Sequence, residues 1–140
     1  MAKHACRAFL LLALAACGGG SLPQPRLGGQ PERAFVEVPY PPPAGKVEMV
    51  PPPPRRDAVW IDGQWLWQGH RWVWQLGGWV VPPRGARFSP WETRRLGDGQ
   101  LVFAPAAWRD DSGREIAPPA ILVPSAETTV AGDTTTRGDR

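Results

Sequence analysis

Apolar positions along this chain change their spacing twice, and each change predicts a different kind of segment. Ala8 to Ala16 form an unbroken apolar run behind the cationic residues Lys3 and Arg7. From Gly18 to Asp57 apolar residues are sparse and proline replaces them, with 11 prolines between Pro23 and Pro54. From Ala58 onward large apolar residues return at strand spacing: Trp65 and Trp67, then Trp72 and Trp74, are each two apart, the period of a strand with one buried face. Ala120 to Val123, between Pro119 and Pro124, reads as one edge strand, where flanking prolines are tolerated. Ser125 to Arg140 carries no hydrophobic pattern and reads as a disordered tail.

The region from 58 to 110 is internally repetitive. All eight tryptophans lie between Trp60 and Trp108. Trp60-Ile61-Asp62-Gly63-Gln64-Trp65 and Trp74-Gln75-Leu76-Gly77-Gly78-Trp79 share the pattern W-x-x-G-x-W, 14 residues apart, and Phe103 to Trp108 is a degraded third copy displaced by 29 from the second. Repetition on this scale indicates one supersecondary unit used more than once. Units of about 58–81 and 87–110 follow, the Gly69-His70 turn overlaying Asp98-Gly99, Trp72 overlaying Leu101 and Trp74 overlaying Phe103.

Turn residues then predict the pairing. Asp62-Gly63 is a strong type I′ hairpin signal, Gly69-His70 suits type II′, and Leu76-Gly77 would close the second box. The expected fold is all-β: a small antiparallel meander of short Trp/Gly-repeat hairpins, with a disordered Pro-rich linker and a disordered C-terminal tail. In that meander Trp60, Trp65, Trp67, Trp72, Trp74 and Trp79 share one sheet face, while Ile61, Gln64, Leu66, Val73, Gln75 and Val80 occupy the other. Trp65, Trp67, Trp72 and Trp74 are expected to pack on each other, with Trp60 and Trp79 more exposed at the margins.

The N-terminus reads as an address. Lys3 and Arg7 supply a positive start, the apolar run is too short to span a bilayer, and it ends in Leu14-Ala15-Ala16-Cys17 before a flexible Gly18-Gly19-Gly20-Ser21. These four residues resemble the lipobox of bacterial lipoprotein precursors, which implies removal of residues 1–16 and a diacylglyceryl anchor on Cys17. Residues 17–57 then read as a lipidated cysteine and a Pro-rich tether, reaching on the order of 100 Å if stiff and roughly 35 Å as a coil. Pro39-Tyr40-Pro41-Pro42 also satisfies a PxxP pattern. The Trp60 to Trp79 stretch resembles the WXXGXW, or YXWGXW, repeat of bacterial envelope lipoproteins, whose members join a lipobox, a Pro-rich segment and Trp/Gly-rich strands. That resemblance implies an envelope location and no particular reaction. Gly18 after the cysteine, in place of an inner-membrane retention aspartate, points to the outer membrane, facing the periplasm.

Charge and residue counts limit the chemistry. The full chain has 16 Lys+Arg against 13 Asp+Glu, but without Lys3 and Arg7 the balance is 14 against 13, which leaves no electrostatic footprint for nucleic acid. Cys17 remains as a single cysteine, so no disulfide forms within the processed chain. His70 is its one histidine and sits in a turn; Asp110, Asp111 and Glu115 surround an Asp111-Ser112-Gly113 turn, and no nucleophile or phosphate-loop motif occurs. No cofactor, metal site or enzymatic activity is expected. The six-tryptophan face is the candidate binding face, and it has two readings. Packing comes first, because a short chain needs large side chains to build a core. The alternative is a stacking platform for an envelope glycan, peptidoglycan or another polysaccharide, with Gln64, Gln75 and Arg71 as hydrogen-bond partners. The expected role is structural or interaction-based, with an envelope protein or glycan as partner and the membrane held through Cys17.

Overall fold

The computed structural model describes residues 21–127. Expectations for the signal segment, Cys17 and residues 128–140 lie outside the described residues. The chain is all-β, as its patterning predicts, and every strand pair is antiparallel. The only helical element among the described residues is a 3-10 turn, Glu32–Ala34.

One long hairpin holds the two complete Trp boxes. Downstream of β1 (Val36–Glu37) and β2 (Glu48–Met49), strands β3 (Val59–Ile61), β4 (Gln64–Gln68), β5 (Arg71–Gln75) and β6 (Gly78–Val80) pair as β4 with β5 and β3 with β6. Trp67 faces Trp72, Trp65 faces Trp74 and Trp60 faces Trp79, so a single register runs through both ladders. The antiparallel hairpin architecture is as expected, but the pairing within it differs from that implied by a turn at Asp62-Gly63, since Trp60 faces Trp79 and not Trp65. Asp62-Gly63 and Leu76-Gly77 are not hairpin turns; they lie opposite each other, where the ladder is interrupted. The one tight turn is Gly69-His70, and both residues have positive φ, 54° and 65°, which marks type I′ rather than the expected II′. The interruption has a geometric purpose. Trp60 and Trp65 are five residues apart, and an unbroken strand would place them on opposite faces.

A second hairpin repeats this plan. Strands β7 (Arg87–Ser89), β8 (Glu92–Arg95), β9 (Leu101–Ala104) and β10 (Ala107–Arg109) pair as β8 with β9 inside and β7 with β10 outside. Its turn carries one more residue: Leu96 and Gln100 close a Gly97-Asp98-Gly99 loop, with Gly99 at φ 89°. The ladder is interrupted at Pro90-Trp91 and Pro105-Ala106, the counterparts of the first break. Proline cannot donate to a ladder, so these residues mark where pairing must stop.

Short strands complete the sheets from both chain ends. β1 (Val36–Glu37) joins β9, β11 (Glu115–Ile116) joins β10 and β12 (Val123–Pro124) joins β6, while β2 (Glu48–Met49) pairs with β13 (Ala126–Glu127). Two expectations are corrected here. Residues 21–57 are not a disordered linker: Pro23 O accepts from Trp60 N, Arg26 O from Phe88 N, and Val38 is 2% exposed. The tail is not disordered from Ser125, since Ser125 is buried, its N–H donates to Gly77 O, and Ala126 lies opposite Met49. Proline-rich sequence forms no core of its own, yet it can complete one that another segment has begun.

Two buried clusters form the core, and the second of them joins the two hairpins. Trp60, Trp79 and Ala58 form one buried cluster with Val123 against it. On the other side Val80 joins Ala86 and Trp108, with Ile61, Phe88 and Ile116 alongside. Trp72 adds a second link between the hairpins, its ring edge-on to Phe103 of β9 at 4.9 Å.

Candidate functional site

The tryptophan face serves as the seat of the Pro-rich segment. Indole N–H groups need acceptors when buried. A polyproline-like stretch offers carbonyls that no local N–H can use. Trp72 Nε1 donates to Tyr40 O at 3.2 Å, Trp65 Nε1 to Ala44 O at 3.2 Å, Trp74 Nε1 to Glu48 Oε1 at 2.9 Å and Trp79 Nε1 to Pro51 O at 2.7 Å. Residues 40–51 thus form a strap along the row of rings. The PxxP stretch is read within its own chain: the Tyr40 ring stands edge-on to Trp67 at 5.3 Å.

Exposure of the six candidate rings departs from expectation in a definite direction. Trp79 and Trp60 are 0% and 1% exposed, and Trp65 is 8%, while Trp67, Trp72 and Trp74 are half-buried. The margins are therefore the deepest part of the face, because Pro23, Pro51 and β12 close over them. The rings meet as edge-to-face pairs directly across the ladders, Trp60 on Trp79 at 5.5 Å, Trp65 on Trp74 at 5.0 Å and Trp67 on Trp72 at 5.0 Å. The three deepest rings present no stacking surface, and the other three are engaged by ring partners or by the strap.

At each ladder break one polar side chain from the N-terminal segment takes the place of the missing pairing. In the first hairpin the break leaves N–H groups, and the Glu48 carboxylate accepts from Gly63 N at 3.1 Å, from Gly77 N at 3.1 Å and from Trp74 Nε1. In the second hairpin it leaves carbonyls, and Gln30 Nε2 donates to Pro90 O at 2.7 Å, Pro105 O at 2.8 Å and Ser89 O at 3.3 Å. An acceptor-only group sits on donors and an amide on acceptors, as their chemistry requires.

A cleft of about 250 Å³ opens on the side away from the tryptophan face. Leu66, Gln75 and Ile61 line it from the first hairpin, Phe88 and Trp108 from the second, and Glu115 and Ile121 from the C-terminal segment. A second cavity of about 170 Å³ adjoins it, with Trp60, Trp91 and Gln24 in its wall. Ile61, Asp62, Gln64 and Phe88 belong to both. Gln64 Nε2 donates to Gln75 Oε1 at 2.8 Å across the ladder, whereas Gln64 Oε1 is buried and has no hydrogen-bond partner among the described residues. Gln64 and Gln75 thus meet in the cleft and not at the edge of the tryptophan face; Arg71 is exposed beside the turn.

The remaining polar candidates are accounted for by local structure. His70 contributes its carbonyl to the Tyr40 hydroxyl at 3.3 Å. Asp110 holds the turn that follows β10, and its carboxyl lies well below the usual range, at about 2, first because the Ser112 hydroxyl donates to it and further because Arg114 does. Arg109 is nearly buried, with Gln30 Oε1 3.3 Å and Glu115 3.8 Å from its guanidinium. Among the described residues no group of three or more His, Cys, Asp or Glu is placed to share a metal ion, and no helix is long and apolar enough to cross a membrane.

Sequence reasoning did not single out Glu48, Gln30, Trp91 or Phe88. Glu48 and Gln30 lie in proline-rich surroundings with no periodicity to mark them, and the cleft is assembled from three separate stretches of chain. No family model matches the chain, and no curated protein or solved structure matches it.

Proposed function

We propose that this chain is a lipid-anchored, non-enzymatic protein of the bacterial cell envelope, of the WXXGXW-repeat kind, acting as an interaction module held close to the outer membrane. The sequence support is Leu14-Ala15-Ala16-Cys17 followed by the Trp/Gly boxes. The observation that carries the proximal placement is the hydrogen bond from Trp60 N to Pro23 O. If Cys17 bears the lipid, the chain from Cys17 to Pro23 spans at most about 20 Å, even fully extended. A folded domain so close to its anchor works at the membrane surface and not across the periplasm.

The strapped tryptophan face favours a structural use of those rings, which leaves the cleft side as the surface for a partner. Cys17→Ser tests the anchor: the variant is expected to lose membrane fractionation, and retention in the membrane fraction would refute it. Limited proteolysis of the full chain tests the placement. Protection of residues 23–54 under conditions that digest an unfolded reference protein is expected, and rapid cleavage between Pro39 and Pro54 would restore the long-tether arrangement.

A further inference from the structure

We infer that the two adjoining cavities form a binding groove for a neutral glycan, two consecutive rings of an acetamido-sugar strand such as the cell-wall polymer carries. The identity of the polymer rests on the envelope location proposed above; the groove itself does not.

Size is the first argument. Cavities of about 250 and 170 Å³ fall below the roughly 300–1,000 Å³ of sites that enclose a drug-sized ligand, so each suits a single ring with its substituents. They share a wall of Ile61, Asp62, Gln64 and Phe88, which makes them neighbouring subsites along one groove. A linear chain of rings fits two small cavities side by side better than any single compact ligand does.

Charge is the second argument. Asp62 and Glu115 line the groove and no Lys, Arg or His does, so phosphates, sulfated sugars and acidic peptides are disfavoured. Each subsite also carries half-buried aromatic surface, Phe88 in the larger and Trp91 in the smaller, suited to the apolar C–H face of a pyranose. Amides and carboxylates beside aromatic rings match hydroxyl groups on one side and hydrocarbon on the other.

The third argument is the unpartnered acceptor. A buried polar atom without a partner costs about 1–3 kcal/mol, and native proteins retain few of them. Gln64 Oε1 is such an atom, and its residue lines both subsites. An acetamido N–H supplies the donor it lacks, and the acetyl methyl group has Ile61 and Phe88 to lie against. The break in the first hairpin therefore has one consequence on each side: Glu48 stitches it on the tryptophan face, and Asp62 and Gln64 border the groove.

Titration of the full chain, purified in a detergent without a sugar head group, with N,N′-diacetylchitobiose tests the inference through tryptophan fluorescence. A saturable change is expected, weakened at least tenfold by Gln64→Ala and by Trp91→Phe, and altered less than twofold by Trp72→Phe on the opposite face. Gln75→Ala, at an exposed position, provides a variant whose folding is not in question and is expected to weaken binding as well. Absence of a saturable response at millimolar disaccharide would overturn the inference, as would a response indifferent to Gln64 and Gln75 or a preference for a phosphorylated sugar. Binding by the detergent-purified chain does not depend on lipidation, so failure here and failure of the anchor are separately visible.

Discussion

Both carboxylate oxygens of Glu48 lie within hydrogen-bond reach of the Gly77 amide, at 3.2 and 3.1 Å, although 29 residues separate the two positions. This contact gives the glycine of the Trp box its meaning. Gly63 and Gly77 each hold the glycine position of their W-x-x-G-x-W box, and both give their amides to the same side chain. The two boxes are thus a device in which each tryptophan of one faces a tryptophan of the other across the hairpin, and the glycines between them receive a carboxylate from elsewhere.

Removing that carboxylate should strand three donors at once. Glu48→Ala is expected to destabilise the fold by at least about 2 kcal/mol, since each buried donor without an acceptor costs roughly 1–3 kcal/mol. Glu48→Gln retains one acceptor oxygen and should fall between the wild type and the alanine variant. Denaturant midpoints at constant slope measure the order, and an alanine variant as stable as the wild type would remove Glu48 from this role.

Glycine at these positions answers to space and not to backbone angle. A Cβ on Gly77 would stand 2.5 Å from Ile61 O, 2.7 Å from Gly63 N and 2.8 Å from Glu48 Oε2, and one on Gly63 would strike the Trp74 ring and the same carboxylate. Gly77→Ala should therefore cost about 1–3 kcal/mol or more, because backbone atoms cannot retreat as a flexible side chain can. Gly45→Ala, where a Cβ meets nothing within 4 Å, serves as the control and should leave the unfolding midpoint nearly unchanged.

The strand alternation, the Gly69-His70 turn and the pairing of Trp65 with Trp74 were legible because each depends on residues close in sequence. Asp62-Gly63 misled for the opposite reason. Its local preference for a type I′ turn is outweighed by the chance to keep one register from Trp60 to Trp79, with Glu48 satisfying the amides that a turn would have used internally. The strap escaped notice because a row of prolines carries no hydrophobic period. Its role follows from the indole donors, whose need for acceptors is a property of the folded hairpin. The cleft lies between segments more than 50 residues apart, such as Ile61 and Glu115, and no spacing in the sequence announces it.

The depth of the rings makes a graded prediction. Trp79→Ala should cost about 3–5 kcal/mol and leave the domain largely unfolded, as deletion of a fully buried aromatic does. Trp67→Ala, at a half-buried position where the ring meets Tyr40 and Trp72, should cost about half as much, because the area withdrawn from water is smaller. Equal losses at the two sites, measured by thermal or denaturant unfolding, would contradict the observed burial.

Strong acid should weaken the turn after β10. The Asp110 carboxyl is lowered from 3.8 to about 2 in the folded protein, led by donation from Ser112 and aided by Arg114. A depressed folded value means the contribution of Asp110 is complete above about pH 4 and fades as the pH falls toward 2. An NMR titration of the side-chain carboxyl should place its midpoint near 2, and Asp110→Asn should remove the pH dependence of the turn in that window. A midpoint near 3.8 would show that the hydrogen bonds from Ser112 and Arg114 do not persist in solution.

The second ladder break predicts the opposite charge preference from the first. Gln30 Nε2 faces the carbonyl oxygens of Ser89, Pro90 and Pro105, and prolines at positions 90 and 105 guarantee that no backbone N–H is available from those residues. Gln30→Glu keeps the shape but replaces the donor with a carboxylate directed at three carbonyls. It should destabilise the protein at neutral pH by about 0.5–1.5 kcal/mol, the net worth of a hydrogen bond, because the bonds to Pro90 O and Pro105 O are exposed. The sign of its pH response is also fixed. Repulsion from the carbonyls raises the folded pKa of the new carboxyl above the ordinary Glu value, so protonation, which restores a donor, should recover part of the lost stability as the pH falls through that raised value. The nearby Arg109 guanidinium, 3.3 Å from Gln30 Oε1, works against this by favouring the charged form. The comparison of Gln30→Glu with Gln30→Leu separates the two influences: a Glu variant more stable than the Leu variant at pH 7 would mean that Arg109 dominates the site, and that donation to the three carbonyls is not what Gln30 contributes to the fold.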